Sequence, residues 1–101
     1  MMLSREKLIR VLKKEIPYLR DTFGVKKIAL FGSFAKNNYT KKSDVDIYVA
    51  FKKPIGLEFI DLAEYLEKKL GKKTDILTSE GVRGIRIKKV AQEIKRSLKY
   101  V

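Results

Sequence analysis

Two carboxylates at the start of an apolar strand are the feature that most constrains this chain. The segment Val45–Phe51 is rich in β-branched and aromatic residues and predicts a β-strand, with Asp44 directly before it and Asp46 inside it. Residues two apart in a strand face the same way, so both carboxylates are expected on one face. Two negative charges are costly there unless a cation lies between them, and a divalent metal ion is the natural candidate.

A second predicted strand, Val25–Phe31, ends in the pair Gly32-Ser33. Glycine lets the backbone approach a phosphate because it has no Cβ. Ser33 offers a hydroxyl, and the backbone N–H groups at a helix start bind anions well. Lys36 is positioned to reach the same phosphates. We therefore predict that Gly32, Ser33 and Lys36 hold a nucleotide phosphate.

The lengths of the connections predict how the strands pair. Ser33–Ser43 is short for a parallel crossover, which favours antiparallel pairing of the first two strands. Lys52–Lys73 is long enough for a crossover helix, so a third strand, Thr74–Thr78, is expected parallel to the second. That topology brings Asp75 to the edge where the other carboxylates lie. The prediction is one α/β (α+β) domain over residues 1–101, a small mixed β-sheet with flanking helices.

Apolar residues at helical spacing predict three amphipathic helices. Pro17 is expected to kink or split the first helix, and Gly24 to form its C-cap. The predicted helices are Ser4–Tyr18, Leu57–Leu70 and a last one marked by Ile87, Val90, Ala91, Ile94 and Leu98.

The composition limits which residue types could carry out catalysis or bind a metal ion. The chain has neither cysteine nor histidine, which excludes histidine-based triads and Cys- or His-ligated metals. Catalysis would use carboxylates, lysines or hydroxyls. A net charge of +12 favours a polyanionic partner or substrate. No signal-peptide core or membrane-length apolar run is present, so we expect a cytoplasmic protein without membrane contact.

The spacing of Gly32-Ser33, the segment Phe34–Ser43 and Asp44-x-Asp46 resembles the signature of the DNA polymerase β nucleotidyltransferase superfamily. In length the chain is most similar to its minimal nucleotidyltransferases, many of which are antitoxins paired with a HEPN-domain ribonuclease. The resemblance implies a polymerase β-type fold with a pair of Mg²⁺ ions on Asp44 and Asp46, and Asp75 as third carboxylate. It also implies AMP transfer from ATP to a protein hydroxyl, a tyrosine of the HEPN toxin in a type VII toxin–antitoxin pair.

Three alternatives stay open from the sequence. A non-catalytic antitoxin would neutralise its partner by contact, as a hetero-oligomer with a vestigial metal site. A nucleic-acid-binding domain would use the positive charge, and the basic C-terminal segment, from Arg83 to Lys99, suits either RNA or an acidic protein. A small-molecule acceptor would leave the reaction otherwise unchanged. Tyr39, in the loop between the two motif halves, is a further candidate for ligand stacking or self-modification.

Overall fold

The computed structural model describes residues 3–53, 55–78 and 88–101, with the side chains of all but 88–91. The three predicted long strands have the predicted bounds. The sequence also predicts a turn over residues 52–56, of which Pro54 lies outside the described residues. Arg83, Arg86 and Ile87 lie outside them too, as do the side chains of Val90 and Ala91. The elements are α1 (Arg5–Phe23), β1 (Val25–Phe31), α2 (Gly32–Lys36), β2 (Val45–Phe51), α3 (Glu58–Leu70), β3 (Thr74–Thr78), α4 (Lys88–Ser97) and β4 (Lys99–Tyr100).

The first helix is longer than predicted, because Pro17 does not split it. Ser4 Oγ accepts a hydrogen bond from the Lys7 N–H at 3.1 Å, as expected for the N-cap. The helix continues through Pro17, which lies on its exposed face, where water can satisfy the carbonyl group that proline leaves unpaired. Leu19 is fully buried and holds the last turns against the core. Gly24 ends the helix with φ 71°, which confirms the predicted C-cap.

The sheet is mixed and four-stranded, in the order β3-β2-β1-β4. β1 and β2 are antiparallel, and β2 and β3 are parallel, which confirms both predicted pairings. The sequence did not predict β4, which pairs antiparallel with β1 through Tyr100 and Lys99. A two-residue strand is too short to show an alternating pattern. Leu98 was assigned to the last helix, but that helix ends at Ser97.

One face of the sheet forms the core with α1 and α3. Along β2 the residues alternate between this buried face and a half-buried one, and Asp46 lies on the half-buried face. The described part of the chain contains no helix that is both long and apolar enough to cross a membrane. The fully buried core side chains include Leu8, Leu12, Leu19, Leu30, Ile47, Val49, Leu62 and Leu66.

A polar contact joins the two core helices on their outer side. Tyr65 Oη donates to Glu15 Oε2 at 2.7 Å, and Lys69 Nζ lies 3.5 Å from Glu15 Oε1. The hydrogen bond to Glu15 raises the pKa of Tyr65 to about 12, because the carboxylate holds the phenol proton. Tyr65 therefore fastens α3 to α1.

Candidate functional site

Strand register brings the separated halves of the sequence motif together. Phe31, the last residue of β1, pairs with Asp46 on β2. Asp46 in turn pairs with Asp75 on β3. Because Gly32 directly follows Phe31, the glycine turn and two of the predicted carboxylates lie side by side at one end of the sheet. This is the convergence that the connection lengths predicted.

Gly32 and Asp46 are in such close contact that no larger residue fits at position 32. A Cβ built on Gly32 would overlap Oδ2 of Asp46 and lie 3.0 Å from its Cγ. Gly32 also has φ +69°, a left-handed conformation that glycine adopts without strain. Both the turn and the approach of the carboxylate therefore require glycine.

The three aspartates influence one another electrostatically. Burial raises the pKa of Asp46 above its ordinary value, and the negative charges of Asp75 and then Asp44 raise it further. Within the described ranges, however, no group of three or more acidic side chains is gathered closely enough to hold a metal ion as it stands. The donor set itself suits Mg²⁺, a hard cation that prefers carboxylate oxygens.

Asp44 lies one residue before β2, where a compact loop leads into the strand. Ser43 Oγ accepts a hydrogen bond from the Thr40 N–H at 2.8 Å, and the Ser43 N–H donates to the Thr40 carbonyl at 3.1 Å. On the other side of Asp44, the Val45 N–H donates to the Lys73 carbonyl at 3.0 Å. Asp44 is thus fixed between a closed turn and the start of the parallel strand pair.

Ser33 and Lys36 both belong to α2 but differ in exposure. The helix begins at Gly32, one residue before the helix start that was expected at Ser33, and Phe34 and Ala35 anchor it in the core. Among the described residues, no side chain caps its first N–H groups. Ser33 is half-buried beside this helix start, whereas Lys36 is exposed at its far end. Ser33 thus directly follows the glycine that contacts Asp46, whereas Lys36 lies at the exposed far end of the helix.

Tyr39 makes contacts that spacing alone could not reveal. Its ring stacks on Phe34 with centroids 4.3 Å apart and planes 9° apart. Its hydroxyl accepts a hydrogen bond from the Arg5 N–H at 2.9 Å. The structure thus gives Tyr39 a different role from the ligand stacking considered above, since it joins the loop before Asp44 to α2 and to the start of α1. The same loop receives a second hydrogen bond, which Lys72 Nζ donates to the Lys41 carbonyl at 2.8 Å.

We expect Tyr39→Phe to lower the free energy of unfolding by about 0.5–1.5 kcal/mol, because the Arg5 N–H loses its acceptor while the ring stack remains. Tyr39→Ala should cost more, since the aromatic pair adds about 0.5–1.5 kcal/mol beyond its buried area. Urea denaturation of both variants measures the difference. Equal stability of Tyr39→Ala and the wild type would show that the loop does not depend on this anchor.

The sequence matches that of a known family along nearly its whole length. A profile described as the nucleotidyltransferase domain covers residues 7–101. The chain belongs to this family. The protein adenylyltransferase MntA of Thermococcus cleftensis is 37% identical to this nucleotidyltransferase domain over 94 residues, covering 92% of this chain and 95% of the relative.

Solved structures share the fold. A chain provisionally described as a minimal nucleotidyltransferase superposes with a TM-score of 0.77 at 25% identity, covering 98% of this chain and 97% of the other. A chain from a toxin–antitoxin structure, MntA-HpeT carrying a Y104A mutation, gives a TM-score of 0.62 at 25% identity, with 99% and 72% covered. The predicted fold class and the nucleotidyltransferase assignment are therefore confirmed, while the roles of individual site residues stay predictions.

Proposed function

We propose that this nucleotidyltransferase domain transfers AMP from ATP to a tyrosine hydroxyl of a partner protein, with Mg²⁺ as cofactor. The observation that carries the proposal is the contact of Gly32 with Asp46, together with the pairing of Asp46 with Asp75. A glycine turn that follows one strand and touches a carboxylate on the next suits a phosphate held beside a metal ion. The name of the Thermococcus cleftensis relative supports adenylyl transfer to protein.

The proposal assigns the chain's residues to metal binding and to phosphate binding. Asp44, Asp46 and Asp75 would hold a pair of Mg²⁺ ions, which supply charge stabilisation at the transferring phosphate. Gly32 and Ser33 would bind the triphosphate through the backbone and the hydroxyl, with Lys36 as an additional positive charge. Carboxylate oxygens are ligands that Mg²⁺ prefers. Hydrogen-bond donors and a cationic side chain suit a phosphate.

The chemical step is a substitution at the α-phosphorus of ATP. The acceptor hydroxyl oxygen forms a bond to this phosphorus, and the bond from phosphorus to the bridging oxygen of pyrophosphate breaks. Asp75, which is exposed on β3, would accept the hydroxyl proton. The products are the adenylylated tyrosine and pyrophosphate.

The proposed partner is a HEPN-domain ribonuclease toxin, with this chain as its antitoxin. Support comes from the fold shared with the toxin–antitoxin structure of MntA-HpeT. The net charge of +12 suits either an acidic partner surface or the polyanionic nucleotide.

The test is label transfer to a purified HEPN-domain candidate in the presence of Mg²⁺. We expect label on the partner from α-³²P-ATP but not from γ-³²P-ATP, because AMP is retained and pyrophosphate leaves. Chelation of Mg²⁺ should abolish the signal, and so should Asp44→Asn. Mutation of the labelled tyrosine to phenylalanine then identifies the acceptor. Label from the γ-phosphate alone would overturn the proposal.

A second candidate function is neutralisation by contact alone. It is favoured by the observation that the described acidic side chains are not drawn together into a metal-binding group. In that case Asp44→Asn would bind and silence the partner as well as the wild type does, and no label would appear with either protein. The same experiment therefore decides between the two functions.

A further inference from the structure

A cavity of about 370 Å³ lies at the end of the sheet opposite the carboxylates. It opens between the second half of α1, the start of β1 and the C-terminal strand β4. Val25, at one end of β1, lines it, whereas Phe31, at the other end, pairs with Asp46. At about 3.3 Å per residue, Val25 is roughly 20 Å from the Phe31 end of β1, and Ile28, the nearest lining residue of this strand, is roughly 10 Å from it. Its volume lies within the range of small-molecule sites.

Three cationic side chains belong to this cavity: Arg20, Lys26 and Lys27. None of its lining side chains is acidic. The one ion pair found among the described residues joins Lys69 to Glu15, so these three cations have no acidic side chain as partner within that part of the chain. The cavity therefore concentrates positive charge that no acidic side chain of the described residues pairs with.

A β-bulge accounts for two consecutive lysines at the same cavity. Val25 pairs with Phe51 and Lys27 with Ala50, so the register shifts and Lys26 is the extra residue. Neighbouring residues of a regular strand point to opposite faces, but a bulge re-aims one of them. Both lysines are exposed, and both line the cavity. The bulge thus allows two adjacent lysines to line the same cavity.

An exposed aromatic ring lies at the margin of the cavity. The buried residues Val25 and Ile28 are also among its lining residues. Tyr100 is 59% exposed at its margin, and Lys27 Nζ lies 5.8 Å from the centroid of the Tyr100 ring. An exposed aromatic ring beside positive charge suits a ligand with a planar ring and an anionic group. A phosphate monoester, with a charge of about −2 at neutral pH, matches three cations better than a single carboxylate does.

We propose that this cavity binds a small phosphate monoester carried on a planar ring, at a site separate from the carboxylate cluster. Arg20, Lys26 and Lys27 bind the phosphate, and Tyr100 stacks on the ring. The site needs no metal ion, because its positive charge comes from side chains. Its ligand binding is therefore independent of the three aspartates.

The test is a ¹H–¹⁵N NMR titration of the full chain with AMP in the presence of EDTA. We expect shifts at the amides of Ile16, Arg20, Val25–Ile28 and Tyr100. Adenosine and inorganic phosphate, which each carry half of the ligand chemistry, should bind at least tenfold more weakly than AMP. The double variant Arg20→Gln/Lys26→Gln should weaken AMP binding at least tenfold, because two charge-assisted hydrogen bonds to the phosphate are lost.

The matched control is Lys13→Gln/Lys14→Gln, which makes the same change in net charge at exposed positions of α1 outside the cavity. It should keep AMP affinity within about twofold at moderate salt, because neither lysine is among the lining residues and salt screens exposed charges. Asp46→Asn should also leave this affinity unchanged. The proposal is overturned if AMP causes no shifts, if the shifts centre on Gly32 and Asp46, or if both double variants weaken binding equally.

Discussion

Asp46→Asn should reduce adenylyl transfer by about 10³-fold or more while making the protein more stable. The loss follows because a neutral amide cannot bind Mg²⁺ as a carboxylate does, and several kcal/mol of charge stabilisation are lost at tenfold per 1.4 kcal/mol. The gain follows because burial, Asp75 and Asp44 all raise the pKa of Asp46, so its charged form is unfavourable in the folded protein. In chelator we expect a gain of up to about 1 kcal/mol, or about 4–8 °C in Tm.

The pH dependence of this gain has a definite sign. A carboxyl whose pKa is raised on folding holds its proton more tightly in the folded state than in the unfolded one. The wild type therefore loses stability as the pH rises from the unfolded value, near 3.8, through the raised pKa, and the asparagine variant does not. The difference in Tm should be small in acid and largest at neutral pH. Thermal melts at several pH values in EDTA measure it.

An acidic residue away from the site provides the control for Asp46. Asp61 is exposed in the first turn of α3, and Asp61→Asn should keep full activity without raising Tm. Mg²⁺ should raise the Tm of the wild type and of Asp61→Asn but not that of Asp46→Asn, because a ligand that binds only the folded state stabilises it. An active Asp46→Asn variant would refute the metal-binding role of this residue.

Gly32→Ala should be the most disruptive of the alanine substitutions at the described glycines. The alanine Cβ would overlap the Asp46 carboxylate, and the alanine backbone would have to adopt a positive φ. Strained backbone of this kind costs about 1–3 kcal/mol, and displacement of Asp46 adds to it. We expect a loss of more than about 2 kcal/mol in the free energy of unfolding, measured by urea denaturation, together with loss of transfer activity.

Two other glycines separate backbone strain from the contact with Asp46. Gly24 and Gly71 have φ +71° and +66°, close to that of Gly32, but a Cβ on either would meet no described atom within 4 Å. Gly24→Ala and Gly71→Ala should therefore show the strain alone and retain activity. If all three variants lost the same stability and Gly32→Ala stayed active, the contact with Asp46 would be unimportant.

Much of the fold followed from local patterns and connection lengths. The β-branched and aromatic residues of β2 predicted its bounds, and the short link after Gly32 predicted antiparallel pairing with β1. The longer link before Thr74 predicted the parallel partner and so the position of Asp75. These predictions succeeded because chain length limits where a strand can return.

The structural features that the sequence did not predict depend on tertiary contacts. Burial of Leu19 extends α1 past Pro17, and no local propensity indicates that. The pairing of Tyr100 with Ala29 defines β4, which has no repeating pattern of its own. The stack of Tyr39 on Phe34 and the overlap at Gly32 require atomic positions. The motif spacing identified the site residues as candidates, but it did not show how closely Gly32 and Asp46 meet.

The strand order indicates that the proposed activity could be lost while most of the protein stays folded. Asp75 is on β3, an edge strand that pairs with β2 alone in the described sheet, whereas Asp46 is on a strand with neighbours on both sides. Edge strands open at a lower free energy than the centre of a domain. Detachment of β3 would disperse the carboxylates while the β1–β2 pair and its turn persisted. If Asp75 has its proposed role, we expect mild stress to inactivate the protein locally and reversibly, before global denaturation.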